Sequence, residues 1–147
     1  MKINVKIKKL REDAEIPVYQ TPGAACCDLK ACLGEPLVLM PGERALIPTG
    51  LAVEFGDAGV AALIFARSGL ASKKGVTLAN GVGVIDSDYR GEIKAALVNL
   101  GSEPVSIQPG DRVAQMGFFP VLAAVFEEAA ELGGTERGDG GFGHTGK

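Results

Sequence analysis

At 147 residues the chain is long enough for one well-cored domain and short for two. Apolar residues make up 46% and charged residues 22%, a globular balance that argues against disorder. A net charge of −3 lacks the broad basic surface expected of a protein that grips a nucleic-acid polymer, so any phosphate binding must be local.

The first residues alternate, with Ile3, Val5 and Ile7 set against Asn4, Lys6 and Lys8, which predicts a strand with one wet face. No apolar h-region or small-residue cleavage site follows, so secretion is not expected. The three cysteines, Cys26, Cys27 and Cys32, form no C-x-x-C pair, and their odd number fits neither a disulfide framework nor a zinc site. A reducing, cytoplasmic setting is the expectation. Further β-rich runs lie at 37–40, 44–47, 51–55, 60–66, 93–99, 105–108 and 112–119, separated by Gly, Pro, Asn and Asp. Short strands at this spacing predict an all-β sandwich or jelly roll. Pro41-Gly42-Glu43-Arg44 and Pro109-Gly110-Asp111-Arg112 echo one another, each with the Pro-Gly pair favoured at the centre of a type II turn.

The apolar run from Met116 to Phe126 is broken by Pro120 and falls short of the roughly 20 residues of a membrane span, so no membrane association is expected. Propensity predicts one short helix over Glu127–Leu132, with Gly133 and Gly134 as its stop. From Gly133 to Gly146 seven of fourteen residues are glycine, and such a segment cannot order itself by burying side chains. It carries Arg137 and Phe142, a cation and a flat ring, and reads as a lid. The chain therefore divides into a β-domain over 1–132 and a flexible Gly-rich arm over 133–147.

Five segments carry chemistry: Ala25-Cys26-Cys27-Asp28-Leu29, Arg67-Ser68-Gly69-Leu70-Ala71, the stretch from Asn80 through Asp86 and Tyr89 to Ile93, Gly110 to Met116 with Gln115, and Arg137 to Gly143. In this order they closely resemble the successive motifs of the trimeric dUTP diphosphatase family, from about Ile16 to Gly146. The resemblance implies a β-clip, jelly-roll-like barrel and a homotrimer. It also implies Mg²⁺-assisted hydrolysis of dUTP to dUMP and pyrophosphate, limiting uracil in DNA and supplying dUMP for thymidylate synthesis. The residue types suit a triphosphate, whose oxygens call for guanidinium forks, hydroxyls, amides and backbone N–H groups.

By resemblance, Ser68, the Gly69 amide and Gln115 hold the phosphates and Arg137 clamps their outer end, while Arg67 and Arg112 either touch them or order the motif through a salt bridge. Asp86 is the base that orients the attacking water, although an Asp in a Gly-rich loop is ordinarily a turn residue, the reading kept for Asp88. Asp28 holds Mg²⁺ through water, since Mg²⁺ beside a phosphate keeps most of its waters. A hairpin over Asn80 to Ile85, including Gly83 and Val84, reads the uracil edge with backbone groups and excludes a 5-methyl. Tyr89 lies under the deoxyribose, Lys94 stands at the rim, and Phe142, followed by Gly143, stacks on the base.

Two departures stand out. Cys26-Cys27 replace the usual approach to Asp28, which predicts a looser turn there. His144 stands where serine is usual, and its ordinary pKa of about 6.5 would add pH dependence to closure. Gly141 to Lys147 fits part of a P-loop but lacks the following Ser/Thr and helix, and no zinc-deaminase constellation is present. The alternatives left are a dCTP deaminase-like or bifunctional enzyme of the same fold and a non-catalytic dUTP-sensing trimer.

Overall fold

A computed structural model describes residues 2–56 and 59–141. In chain order the elements are β1 (Lys6–Lys9), β2 (Cys27–Lys30), β3 (Leu37–Leu39), β4 (Arg44–Pro48), β5 (Leu51–Glu54), β6 (Val60–Ala66), α1 (Ser68–Lys74), β7 (Val76–Leu78), β8 (Gly83–Ile85), β9 (Lys94–Asn99), β10 (Val105–Ile107) and β11 (Arg112–Pro120). All pairings are antiparallel: a four-stranded sheet β2-β11-β6-β8, a three-stranded sheet β4-β9-β7, and the two-stranded ladders β1-β5 and β10-β3. The ladders close over one core in which Leu29, Leu39, Ile47, Phe55, Ile64, Ile93, Leu97, Ile107 and Val113 are buried, a jelly-roll-like all-β arrangement. Among the described residues no helix is long and apolar enough to cross a membrane.

The two Pro-Gly turns are built alike. Gly42 and Gly110 sit at φ 80° and 82°, the left-handed region that the third turn position of type II requires. Glu43 N–H donates to Met40 O and Asp111 N–H to Gln108 O, closing each turn. The Glu43 and Asp111 carboxylates then accept the N–H groups of Met40 and Gln108, each at 2.8 Å. Even the outward bonds match: Gly42 N–H donates to Asn99 O and Gly110 N–H to Ala31 O.

Several expectations are corrected. The first strand forms over Lys6–Lys9, starting later than the alternation from Ile3 to Lys8, because pairing with β5 in the register Ile7↔Val53 decides its bounds. Cys27–Lys30 is a strand with alternating burial, and α1 and β7 were not anticipated. No helix forms over Glu127–Leu132; the segment lies exposed, Leu132 at 90%, and six residues without a packed face cannot offset the nucleation penalty of a helix. The helix that does form, α1, ends on Gly75 at φ 70°, whose N–H donates to Ala71 O, with Lys73 and Lys74 in its last turn.

Candidate functional site

The centre of the four-stranded sheet assembles the first cluster. Register sets Gln115 of β11 opposite Asp28 of β2, and Arg112 opposite Lys30. Residues three apart on a strand normally face opposite sides, but a bulge between Arg112 and Ala114 inserts one residue and turns Arg112 and Gln115 to the side that Asp28 and Lys30 share. The Asp28 side chain, 13% exposed, accepts Arg67 Nε at 3.0 Å on one oxygen and Arg112 Nη1 at 3.2 Å on the other. Arg67 also donates from Nη1 to the Arg112 carbonyl at 3.0 Å, and Gln115 Nε2 donates to Ala66 O at 3.0 Å. Arg67 and Arg112 thus form the salt bridge to Asp28 that is one of the two roles open to them.

Arg67 leads directly into α1 as its N-cap residue, extended at φ −83°, ψ 124°. The first N–H groups of a helix have no intrahelical acceptor. No acidic side chain occupies the first turn, and Ser68 and Gly69 are exposed, so the positive end of α1 is open to an anion beside two guanidiniums that share one carboxylate. Asp28 is not presented by a turn, loose or tight: it is the second residue of β2, flanked by buried Cys27, whose thiol donates to Met116 O. Cys26 is accommodated by Gly117, where an added Cβ would lie 2.8 Å from Cys26 Sγ.

The second cluster stands at the other end of β6. The expected hairpin over Asn80–Ile85 is instead a turn followed by an edge strand: β8 pairs with β6 in the register Gly83↔Ile64, Ile85↔Ala62, whereas β7 joins the other sheet through β9. The outer backbone edge of β8 is open among the described residues. Gly83 is small for a packing reason, since a Cβ there would sit 3.0 Å from Ile64 Cβ. Asp86 follows β8 directly and opens a turn closed by Tyr89 N–H donating to Asp86 O at 3.1 Å. Its carboxylate is exposed and has no partner among the described residues, so it is not spent on bonding its own backbone as a turn Asp would be. Arg90, absent from the expected set, fastens this turn by donating from Nη1 to the carbonyls of Ser87 and Tyr89. Tyr89 is no core aromatic: it is 42% exposed and its hydroxyl donates to Glu92 O at 3.0 Å. Lys94 pairs with Glu92 at 3.6 Å, both in contact with solvent.

These two clusters do not meet. Because Ile85 lies opposite Ala62, Asp86 is about six residues along β6 from Arg67, or ~20 Å of strand at about 3.4 Å per residue. Among the described residues the arm joins neither. Arg137 donates from Nε to Gly140 O within a local turn, and residues 121–139 are exposed throughout. Phe142, Gly143 and His144 lie outside the described residues.

No group of three or more His, Cys, Asp or Glu side chains forms a metal cluster among the described residues. The donor set at the first cluster is one carboxylate, Asp28. That fits a Mg²⁺ ion that arrives with phosphate oxygens and keeps its own waters, and does not fit a cation caged by protein alone.

The dUTPase family model matches residues 12–146. The deoxyuridine 5'-triphosphate nucleotidohydrolase of Desulfitobacterium hafniense is 58% identical over 146 residues, covering 98% of this chain and 97% of that one. That of Neisseria gonorrhoeae is 50% identical over 148 residues, covering 99% of each. Among solved structures, the dUTPase of Staphylococcus bacteriophage 80alpha with dUPNHPP superposes with a TM-score of 0.87 at 26% identity, covering 98% of this chain and 99% of that one.

Proposed function

The chain belongs to the dUTPase family, and from that premise we propose how its residues divide the hydrolysis of dUTP to dUMP and pyrophosphate. The phosphates dock at the first cluster, on Ser68, the Gly69 amide and Gln115, with Arg67 and Arg112 fixed by Asp28 so that their charge is held without rearrangement. Asp28 would hold Mg²⁺ through water, and the bound ion would supply charge neutralisation for the phosphate oxygens. Asp86, whose carboxylate has no partner among the described residues, accepts a proton from the water that attacks the α-phosphorus, and pyrophosphate leaves with the electrons of the broken P–O bond.

The base lies along the open edge of β8. There N–H and C=O groups of Gly83 to Ile85 complement uracil as a paired base would, and the turn from Asn80 to Val82 leaves no room for a 5-methyl. Tyr89 forms the floor under the deoxyribose, Lys94 stands at the rim, and the arm brings Arg137 to the outer phosphate and Phe142, with Gly143, onto the base.

The observation that carries the assembly is the ~20 Å of strand between Asp86 and Arg67, at about 3.4 Å per residue. One α-phosphorus cannot lie beside Asp86 while the same chain's Ser68 and Gln115 grip the neighbouring phosphates. A homotrimer, in which one protomer supplies the base and sugar half and another the phosphate half, resolves this, and it gives the exposed arm a place to close. The reaction supplies dUMP for thymidylate synthesis, and the removal of dUTP from the triphosphate pool limits uracil in DNA, in a cytoplasmic setting.

Incubation of the protein with each deoxynucleoside triphosphate and Mg²⁺ tests the reading. Pyrophosphate is expected from dUTP alone. Ammonia release from dCTP would instead mark a deaminase, binding of dUTP without pyrophosphate a sensor, and comparable turnover of dTTP would refute the β8 account of base choice.

A further inference from the structure

The segment that follows the Asp86 turn is tied into the body by a junction the reaction itself does not use. Ile93 is fully buried; its N–H donates to Leu51 O at 2.8 Å, and its carbonyl accepts both the N–H and the hydroxyl of buried Thr49, at 3.2 and 2.7 Å. One residue earlier, Glu92 Oε1 accepts the Gly50 N–H at 2.9 Å. Gly50 is buried and closely packed: it sits at φ 67°, a Cβ there would lie 2.7 Å from Ala14 Cβ and 2.8 Å from Cys32 Sγ, and its carbonyl accepts Leu10 N–H at 2.7 Å. The Glu92 carbonyl in turn accepts the Tyr89 hydroxyl at 3.0 Å, and the Tyr89 ring lies over Gly91, where any Cβ would collide with it.

A bonded path therefore runs from a buried, closely packed glycine, through the Glu92 side chain and main chain, to Tyr89. We infer that Glu92 is a positioning residue for sugar selection: by capturing the Gly50 N–H it fixes the carbonyl that holds Tyr89 in place. The inference rests on the reading of Tyr89 as the floor under the deoxyribose. What matters is the acceptor oxygen and not the charge. The ion pair to Lys94 is long, at 3.6 Å, with Lys94 46% exposed, and pairs of that kind contribute little. Loss of the acceptor, by contrast, leaves the N–H of buried Gly50 without a partner.

The test compares the wild type with Glu92→Ala, Glu92→Gln and Tyr89→Ala, reading the ratio of kcat/KM for dUTP over UTP and the hydrogen exchange of the Gly50 amide. Tyr89→Ala is expected to abolish most of the deoxyribose preference. Glu92→Ala is expected to lower it about fivefold to tenfold, the scale of one lost hydrogen bond, and to unprotect the Gly50 amide. Glu92→Gln, whose amide oxygen still accepts, is expected to keep both near wild type. If Glu92→Ala does not fold, Glu92→Asp, one methylene too short to reach Gly50, carries the same expectation. Wild-type preference in Glu92→Ala alongside its loss in Tyr89→Ala would overturn the positioning role and leave the sugar floor standing. Preference retained in Tyr89→Ala would remove the floor and the inference with it, and a Glu92→Gln variant as impaired as Glu92→Ala would overturn the acceptor argument.

Discussion

Replacing Gly75 with alanine separates two physical effects that usually arrive together. At φ 70° an alanine pays the left-handed penalty, about 1–2 kcal/mol. The added Cβ would also stand 2.5 Å from Gly101 N and 2.7 Å from Gly101 Cα, backbone atoms that cannot rotate away as a side chain would. Forced overpacking of this kind costs about 1–3 kcal/mol. Stiffening of the unfolded chain returns about 0.4–1 kcal/mol, so the net loss should be roughly 2–4 kcal/mol. Gly42→Ala is the internal control, since Gly42 has nearly the same backbone angle, φ 80°, and nothing within 4 Å of a new Cβ. It should lose only about 0.5–1.5 kcal/mol. Urea unfolding of both variants at equal subunit concentration measures the difference, which is the contact contribution alone. Gly75→Ala should also raise KM for dUTP, because Gly75 seats the end of α1 against Gly101 through Leu100 N–H donating to Gly75 O, and α1 starts at the phosphate-binding Ser68 of the proposed reading. Two variants equal in stability within about 0.5 kcal/mol would refute the contact argument.

Asp86→Asn keeps the turn but cannot accept a proton, so turnover should fall by ~10²-fold or more while dUTP still binds; near-normal turnover would make Asp86 a turn residue after all. On the proposed homotrimer, Asp86→Asn assemblies and assemblies truncated after Gly134 should each be inactive, yet regain activity when unfolded together and refolded as mixed trimers; verified mixed trimers no better than their parents would place base and lid on one chain. The paired hydrogen bonds from the Arg11 guanidinium hold the Asp13 carboxyl at about 2, down from 3.8. A carboxyl lowered on folding contributes stability that is complete above its unfolded value and disappears as pH falls through the folded one. Asp13→Asn should therefore flatten the acid-unfolding curve between about pH 4 and 2, and an unchanged slope there would show the pair to be thermodynamically silent.

The strands that were legible in the sequence are those whose apolar residues dominate, such as Val60–Ala66 and Arg112–Pro120. Cys27–Lys30 escaped although it alternates correctly, because its outward residues, Asp28 and Lys30, are charged and the preceding Ala25-Cys26 carries little β signal. Helix α1 escaped because only Leu70 among its seven residues is a large apolar one; its signals were Gly75 and the two lysines, which mark an end without marking a start. Motif order made most of the proposed site residues visible. Their separation was not visible, since it depends on which strand β8 pairs with, and one residue of slippage would have moved Asp86 to another face. Arg90 and Glu92 escaped for a related reason: their side-chain hydrogen bonds go to backbone groups, which leave no trace in residue type.

Sheet edges are ordinarily blunted with lysine, proline or a covering loop, because an unpaired row of N–H and C=O groups recruits strands from other molecules. On the reading proposed above β8 has no such recourse, as anything that masks its outer edge would also mask the base. The protection available is brevity. With only Gly83, Val84 and Ile85 in the strand and Gly83 pressed against Ile64, too few groups stand in line to template a foreign strand. Lengthening β8, or replacing the turn at Asn80–Val82 with strand-forming residues, should therefore turn a recognition surface into an aggregation surface before it improves any affinity.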